Sequence, residues 1–142
     1  MRFSIIQHGG QQYDLTVALR DRILRQPLGL KFSDEQLAAE STAIHVAGWI
    51  DDQVRACSVV AEQDDGWFQI RQVAVDNEFQ RQGYGKQLME FVHHHVESLG
   101  GKRVFCHSRD VAESFYADLG YRSVGDYFEA VSIQHVRMEK DL

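Results

Sequence analysis

The sequence predicts an α+β domain built on a mixed sheet, and three observations carry that prediction. Strand-like and helix-like stretches succeed one another as β, two helices, three strands, then helix–strand–helix–strand–strand. A single Pro and the absence of repeats or low-complexity segments leave no linker at which to divide the chain, so residues 1–142 read as one domain. Hydrophobic residues make up 44% and charged residues 25%, the balance of a globular protein with a substantial core.

Each element has its own signal. Arg2 to Gln7 alternates apolar and polar side chains, the period of a half-buried strand. Leu15, Leu19 and Ile23 recur at helical spacing within Tyr13 to Arg25, and Pro27 with Gly29 closes that helix. Ser33 and Gln36 form a capping-box pattern that opens a short second helix through Glu40. Ala43 to Ile50 and Gln53 to Glu62 are β-rich runs joined as a hairpin through Asp51-Asp52. Asp64-Asp65-Gly66 then turns the chain into a long strand, Trp67 to Val75. Leu88, Val92, Val96 and Leu99 mark one face of a helix that Gly100-Gly101 ends. Arg103 to His107 is a short strand. Asp110 to Leu119 is a helix with Ala112, Phe115 and Leu119 aligned and Gly120 as its stop, and Phe115 fits the core better than Tyr116. Tyr121 to Gly125 and Ser132 to Glu139 supply the last strands.

Composition excludes several classes. No run of 18 apolar residues exists to span a membrane, and Met1 to Gly10 lacks a secretory apolar stretch, so the expected location is cytoplasmic. A formal net charge of -6 argues against nucleic acid as the main partner. Cys57 and Cys106 lie far apart in apolar runs and read as reduced core thiols. His93-His94-His95 resembles a metal tract, but three consecutive helical residues fan out over about 200° and cannot share an ion. No metal is expected; His95 should pack and the other two face water. Trp49 and Trp67 read as core or sheet-edge residues.

The segment after Val73-Ala74-Val75 carries the chemistry. Gln80-Arg81-Gln82-Gly83-Tyr84-Gly85-Lys86 opens a helix whose first turn offers unpaired N–H groups and the positive end of a helix dipole. Gly83 and Gly85 remove side chains where a ligand's backbone-bound anion would sit, and Arg81 and Lys86 add positive charge. A glycine-rich strand-to-helix turn alone is a weak signal; tight helix packing explains it equally well. Val75 through Gly85, however, resembles the acetyl-coenzyme A signature of the GNAT superfamily of N-acetyltransferases. Gln80, Gly83 and Gly85 fill the positions of its Gln/Arg-x-x-Gly-x-Gly/Ala pattern. Ala112 to Tyr121 resembles a second signature of that family, Ala-x-x-Phe-Tyr-x-x-Leu-Gly-Phe/Tyr.

The resemblance implies a mostly antiparallel central sheet flanked by helices, with the Trp67–Val75 and Arg103–His107 strands splayed at the cofactor site. It implies acetyl-coenzyme A as co-substrate, contacted by Val73, Ala74, Val75, Gln80, Arg81, Gln82, Gly83, Tyr84, Gly85, Lys86 and Ser114. Acetyl transfer needs a neutral amine, stabilisation of negative charge on the carbonyl oxygen, and a proton for the departing thiolate. Tyr116 occupies the position of the family's proton donor. With a phenol near pKa 10 and a thiol near roughly 8.5, that transfer is chemically reasonable.

A narrower resemblance, to the glyphosate N-acetyltransferase-like branch, concerns the acceptor. That branch ends in Gly-x-Pro-His-x-x-Met, which places His135 as base or substrate ligand, with Gln134 where the branch has Pro. Its three substrate-binding arginines fall on Arg25, Arg71 and Arg109. Converging guanidiniums require an anion between them, so a carboxylate, phosphate or phosphonate on the acceptor is expected. The alternative is three separate ion pairs, with Asp21 or Asp110 as neighbours. Two other functions compete: acetylation of a basic amine (a polyamine, lysine or peptide N-terminus), and a non-catalytic acyl-coenzyme A-binding domain. The expected partner is a small-molecule amine, with neither nucleic acid nor membrane; a homodimer is compatible with the sequence.

Overall fold

A computed structural model describes all 142 residues. Seven strands form one sheet: β1 (Arg2–Ile6), β2 (Ile44–Ile50), β3 (Gln53–Glu62), β4 (Trp67–Val75), β5 (Arg103–Arg109), β6 (Arg122–Ala130) and β7 (Ile133–Asp141). Their spatial order is β1-β2-β3-β4-β5-β7-β6, and every pairing is antiparallel except β4 with β5. The helices are α1 (Gln11–Arg20), α2 (Asp34–Ala38), α3 (Tyr84–Ser98) and α4 (Glu113–Asp118). This is the expected α+β architecture.

Local chemistry explains the turns. Asp51 and Asp52, with φ of 51° and 62°, make a two-residue hairpin turn that short polar side chains tolerate. Ser33 and Gln36 form the reciprocal capping box at the start of α2. The main core lies between the sheet and α3, where Leu88, Met89, Val92 and Val96 are buried against Phe68, Ile70, Val104 and Val136. Leu99 is 52% exposed, because α3 ends at Ser98 and the chain turns away before that face is covered.

Three expectations change. The first helix does not continue regularly to Arg25: α1 ends at Arg20, and Asp21–Arg25 widens into a π-helical turn followed by a 3-10 turn, Gln26–Leu28. The buried Arg20 guanidinium anchors this end of α1, donating to both Glu40 carboxylate oxygens at 2.6 and 2.8 Å. On α3 it is His93 that packs, not His95; its Nε2 lies 2.6 Å from the Tyr121 hydroxyl, while His95 stacks on Phe91 near the surface. The last two strands are longer than expected, reaching Ala130 and Asp141.

Candidate active site

The site begins with an irregularity in β4. Cys57 pairs with Ala74 and Val59 with Arg71, so Gln72 and Val73 together oppose Ser58. That extra residue is a β-bulge, with Gln72 at φ +54°, and the Ser58 hydroxyl donates to the Arg71 carbonyl at 3.1 Å. A bulge bends and twists its strand. Parallel pairing between β4 and β5 accordingly stops at Gln69–Phe105, and from there to Val75 β4 has no partner on its β5 side.

Two chambers open from the gap and share Val73, Ala112 and Tyr116. The larger, about 910 Å³, runs along Ala74 and Val75 to Gln80, Arg81, Gly83, Gly85 and Lys86, with Ser114 and Phe115 opposite. At its far end α3 starts without a side-chain cap, which leaves first-turn N–H groups facing outward. The two glycines serve different ends. Gly83 sits at φ +85° with nothing within 4 Å of a Cβ built there, so backbone conformation requires it. A Cβ on Gly85 would lie 3.1 Å from the Phe115 ring, so that glycine lets α4 approach α3.

The loop between β4 and α3 is held from several sides. Gln80 Nε2 donates to the Val75 carbonyl at 2.9 Å. Asp76, 6% exposed, accepts from Arg55 at 2.9 Å and Arg22 at 3.0 Å. Gln82 and Tyr84 turn their side chains elsewhere, Gln82 to the Glu78 carbonyl and Tyr84 towards the Phe79 ring. Neither is among the residues lining the larger chamber, which leaves their backbone N–H groups for an anion at the helix start.

The smaller chamber, about 260 Å³, collects Arg25 from the π-helical turn, Arg71 from just before the bulge, Arg109 from the end of β5 and His135 from β7. None of the three arginines forms an ion pair. Asp21 and Asp110 are instead engaged by the backbone N–H groups of Phe32 and Val111, which removes the separate-ion-pair alternative. Arg25 lies 4.5 Å over the Phe32 ring, Arg71 donates to Gln69 at 2.6 Å, and Arg109 donates to the Leu24 carbonyl at 3.0 Å. Burial, and then the Arg25 charge, lower the pKa of Arg109. The chamber is a cationic field that an anion would relieve.

Tyr116 is 7% exposed at the junction of the chambers, whereas Phe115 is half-buried and lines only the larger one. This reverses the expected order of burial. Burial pushes the Tyr116 phenol well above its ordinary value, and it pushes the neighbouring Cys106 thiol up to about 12.

His135 is also buried, and its Nδ1 lies 2.8 Å from the Ile133 carbonyl oxygen. A carbonyl can only accept, so Nδ1 carries a hydrogen, and in the neutral ring the lone pair falls on Nε2. Phe128 stacks on the ring at 5.7 Å between centroids. His107 and Val131 are among the lining residues that carried no role in the sequence reading. His107 meets the edge of Phe128 at 5.2 Å, and its pKa is lowered by burial and by the charges of Arg137, His135 and Arg71. Its strand alternation with Phe105 and Arg109 was the available signal. Val131, from the β6–β7 turn, had none.

No group of His, Cys, Asp or Glu side chains is arranged to hold a metal ion, and no helix is long and apolar enough to cross a membrane. Residues 28–142 match the family model described as an acetyltransferase (GNAT) domain. The chain superposes on an acyl-CoA N-acyltransferase from Pseudomonas aeruginosa with a TM-score of 0.82 at 19% identity, covering 98% of both chains. It superposes on an aminoglycoside 6'-N-acetyltransferase complexed with coenzyme A with a TM-score of 0.82 at 15% identity, covering 99% of this chain and 97% of that one. An N-acetylglutamate synthase from Neisseria gonorrhoeae, complexed with coenzyme A and N-acetyl-glutamate, gives 0.79 at 19% identity, over 100% of this chain and 35% of that one. With a family match over most of its length and the splayed sheet around which that family's fold is built, the chain belongs to the GNAT acetyltransferases and is an N-acetyltransferase.

Proposed function

We propose that the chain transfers acetyl from acetyl-coenzyme A to the amine of a small anionic acceptor, an amino acid or amino-phosphonate-like molecule. The carrying observation is that Arg25, Arg71 and Arg109, none of them ion-paired, line one small chamber that meets the larger one at Tyr116. The larger chamber fits the cofactor: it combines an uncapped helix start, a left-handed glycine with open space before it, and a strand edge without a partner. Acetyl-coenzyme A supplies the reactive thioester.

The protein's own groups have separable tasks. The first-turn N–H groups of α3, with Arg81 and Lys86, hold the pyrophosphate. The backbone of Val73 and Val75 aligns the pantetheine arm as an added strand would. The arginines clamp the acceptor's anion, which positions an amine only two bonds away. His135 Nε2 accepts the proton of the attacking nitrogen, and the Tyr116 hydroxyl hands one to the leaving sulfur. A buried phenol is a weak acid, yet a thiolate desolvated in the same junction is correspondingly more basic. Burial raises the neighbouring Cys106 thiol in the same direction.

Structural neighbours include proteins whose names specify an acidic product and a basic aminoglycoside, so the fold does not choose the acceptor. The side chains of the chamber favour an anion, as does the similarity to the glyphosate N-acetyltransferase-like branch. Arg109→Gln tests the reading. It should raise KM for an acidic acceptor by roughly ten- to a hundredfold, the loss of one charge-assisted contact, and leave KM for acetyl-coenzyme A unchanged. An unchanged acceptor KM would refute the anion clamp.

A further inference from the structure

The turn between β6 and β7 is built from the wrong residue for its conformation. Ala130 pairs with Ile133, so Val131 and Ser132 are the two central residues of a tight hairpin, at φ of +47° and +62°. Such turns need positive φ at both positions and favour Asn, Asp and Gly. The same chain meets that need at Ile50–Gln53 with two aspartates. A β-branched residue in the left-handed region is a genuine outlier, because its branched Cβ crowds the backbone. Strain of this kind persists where the side chain has a task.

The task is visible in where the turn sits. Val131 is 44% exposed and lines the acceptor chamber together with Arg25, Arg109 and His135. The hairpin also carries the proposed base: the Ile133 carbonyl fixes the His135 tautomer, and Phe128 on β6 stacks on the His135 ring. Upstream, β6 loses register between Val124 and Phe128, with Gly125 at φ +79°, so the terminal stretch is offset from the rest of the ladder. The turn therefore presents an apolar isopropyl group to the chamber that holds the three arginines.

We propose that Val131 is a specificity-determining residue that sets the size of the acceptor, by closing the chamber over the acceptor's side chain while the arginines hold its anion. The inference rests on the anionic-amine reading. It restricts the substrate class to anionic amines with small side chains, and Val131 contributes no catalytic group.

Two substitutions separate the side chain from the backbone. Val131→Gly removes the isopropyl group and accepts the left-handed conformation. Val131→Asn also accepts that conformation but keeps a branched side chain of similar size. Initial rates would be measured for wild type and both variants with glycine, aminomethylphosphonate, leucine and phenylalanine as acceptors. In Val131→Gly, kcat/KM for phenylalanine relative to glycine should rise at least tenfold, with KM for acetyl-coenzyme A unchanged. Val131→Asn should keep the wild-type ratio, and both variants should unfold at a higher temperature than wild type. An unchanged ratio in Val131→Gly would overturn the proposal, and so would an equal rise in Val131→Asn, which would assign the effect to the backbone. Should wild type acetylate none of these acceptors, the anionic-amine reading itself fails, a result distinct from either.

Discussion

Replacing Tyr116 by Phe should lower activity and leave stability nearly unchanged. The substitution removes one oxygen and keeps the ring that packs edge-on against Phe115 and Tyr121 at 5.0 and 5.4 Å. Burial of the side chain dominates the upward shift of the phenol's pKa, with no hydrogen-bonded partner contributing, while the ring's polar end opens onto the two chambers. The hydroxyl faces the chambers and makes no hydrogen bond to the protein, so its deletion breaks no contact and stability should change by less than about 1 kcal/mol. Loss of the proton donor should lower kcat by about 10²–10⁴-fold, the usual worth of a positioned general acid. Thiol release measured with saturating acetyl-coenzyme A and acceptor reads the rate, and urea unfolding reads the stability. Two results would refute the reasoning. Unchanged kcat, with the chemical step shown to be rate-limiting, would remove Tyr116 from the mechanism. A drop in stability of more than about 1 kcal/mol would mean that the hydroxyl has a structural partner.

Two further outcomes follow from the histidines. His135→Asn retains a donor for the Ile133 carbonyl but removes the Nε2 lone pair, so kcat should fall about 10²-fold or more at neutral pH and recover as pH approaches the amine's own pKa; a constant deficit across pH would contradict a base role. His93 is pushed down to about 4 by burial and then by the Lys140 charge, so above pH 6.5 it is neutral in both folded and unfolded chains and contributes nothing to the pH dependence. As pH falls from about 6.5 to about 4 the unfolded chain takes up a proton that the folded one does not, removing up to about 3 kcal/mol of stability. His93→Gln should flatten that decline in urea titrations at pH 7 and 4.5, and parallel curves for the two proteins would show that His93 does not titrate this way.

Much of the fold was legible because burial left a period in the sequence. β3 and β4 begin and end where the β-rich runs do, and the capping box at Ser33 and Gln36 forms as its spacing implies. β6 escaped over its second half because all nine of its residues are exposed at a sheet edge, so no alternation was selected there. The Phe115–Tyr116 reversal has a geometric cause. A 3-10 turn, Asp110–Ala112, precedes α4, and its three residues per turn shift the phase of any stripe anchored at Ala112. The histidine tract hid a core position: His93 follows Met89 by one turn on the buried face.

The site was legible in part. The glycine loop, Tyr116, His135 and the three arginines are candidates taken from motifs, and the structure gathers them at two joined chambers. Nothing local in the sequence marks the bulge at Gln72, because it arises from the pairing of β3 with β4 and the Ser58 hydroxyl that supports it. The π-helical turn that carries Arg25 is equally silent, since Asp21 to Arg25 keeps a helical pattern while its hydrogen bonding widens. Val131 falls between the two expected strands, and nothing local marks it until its backbone angle is known.

The central claim is that this acetyltransferase selects an amine by its anion. Coenzyme A release from acetyl-coenzyme A should be measured for matched acceptors offered singly and in competition: amino acids and amino-phosphonates on one side, spermidine and a lysine peptide on the other. Turnover of an anionic amine is expected, with competitive inhibition by its non-amine carboxylate or phosphonate analogue and no such inhibition by spermidine. Preferred turnover of spermidine or the lysine peptide, unaffected by Arg71→Gln and Arg109→Gln, would contradict the claim.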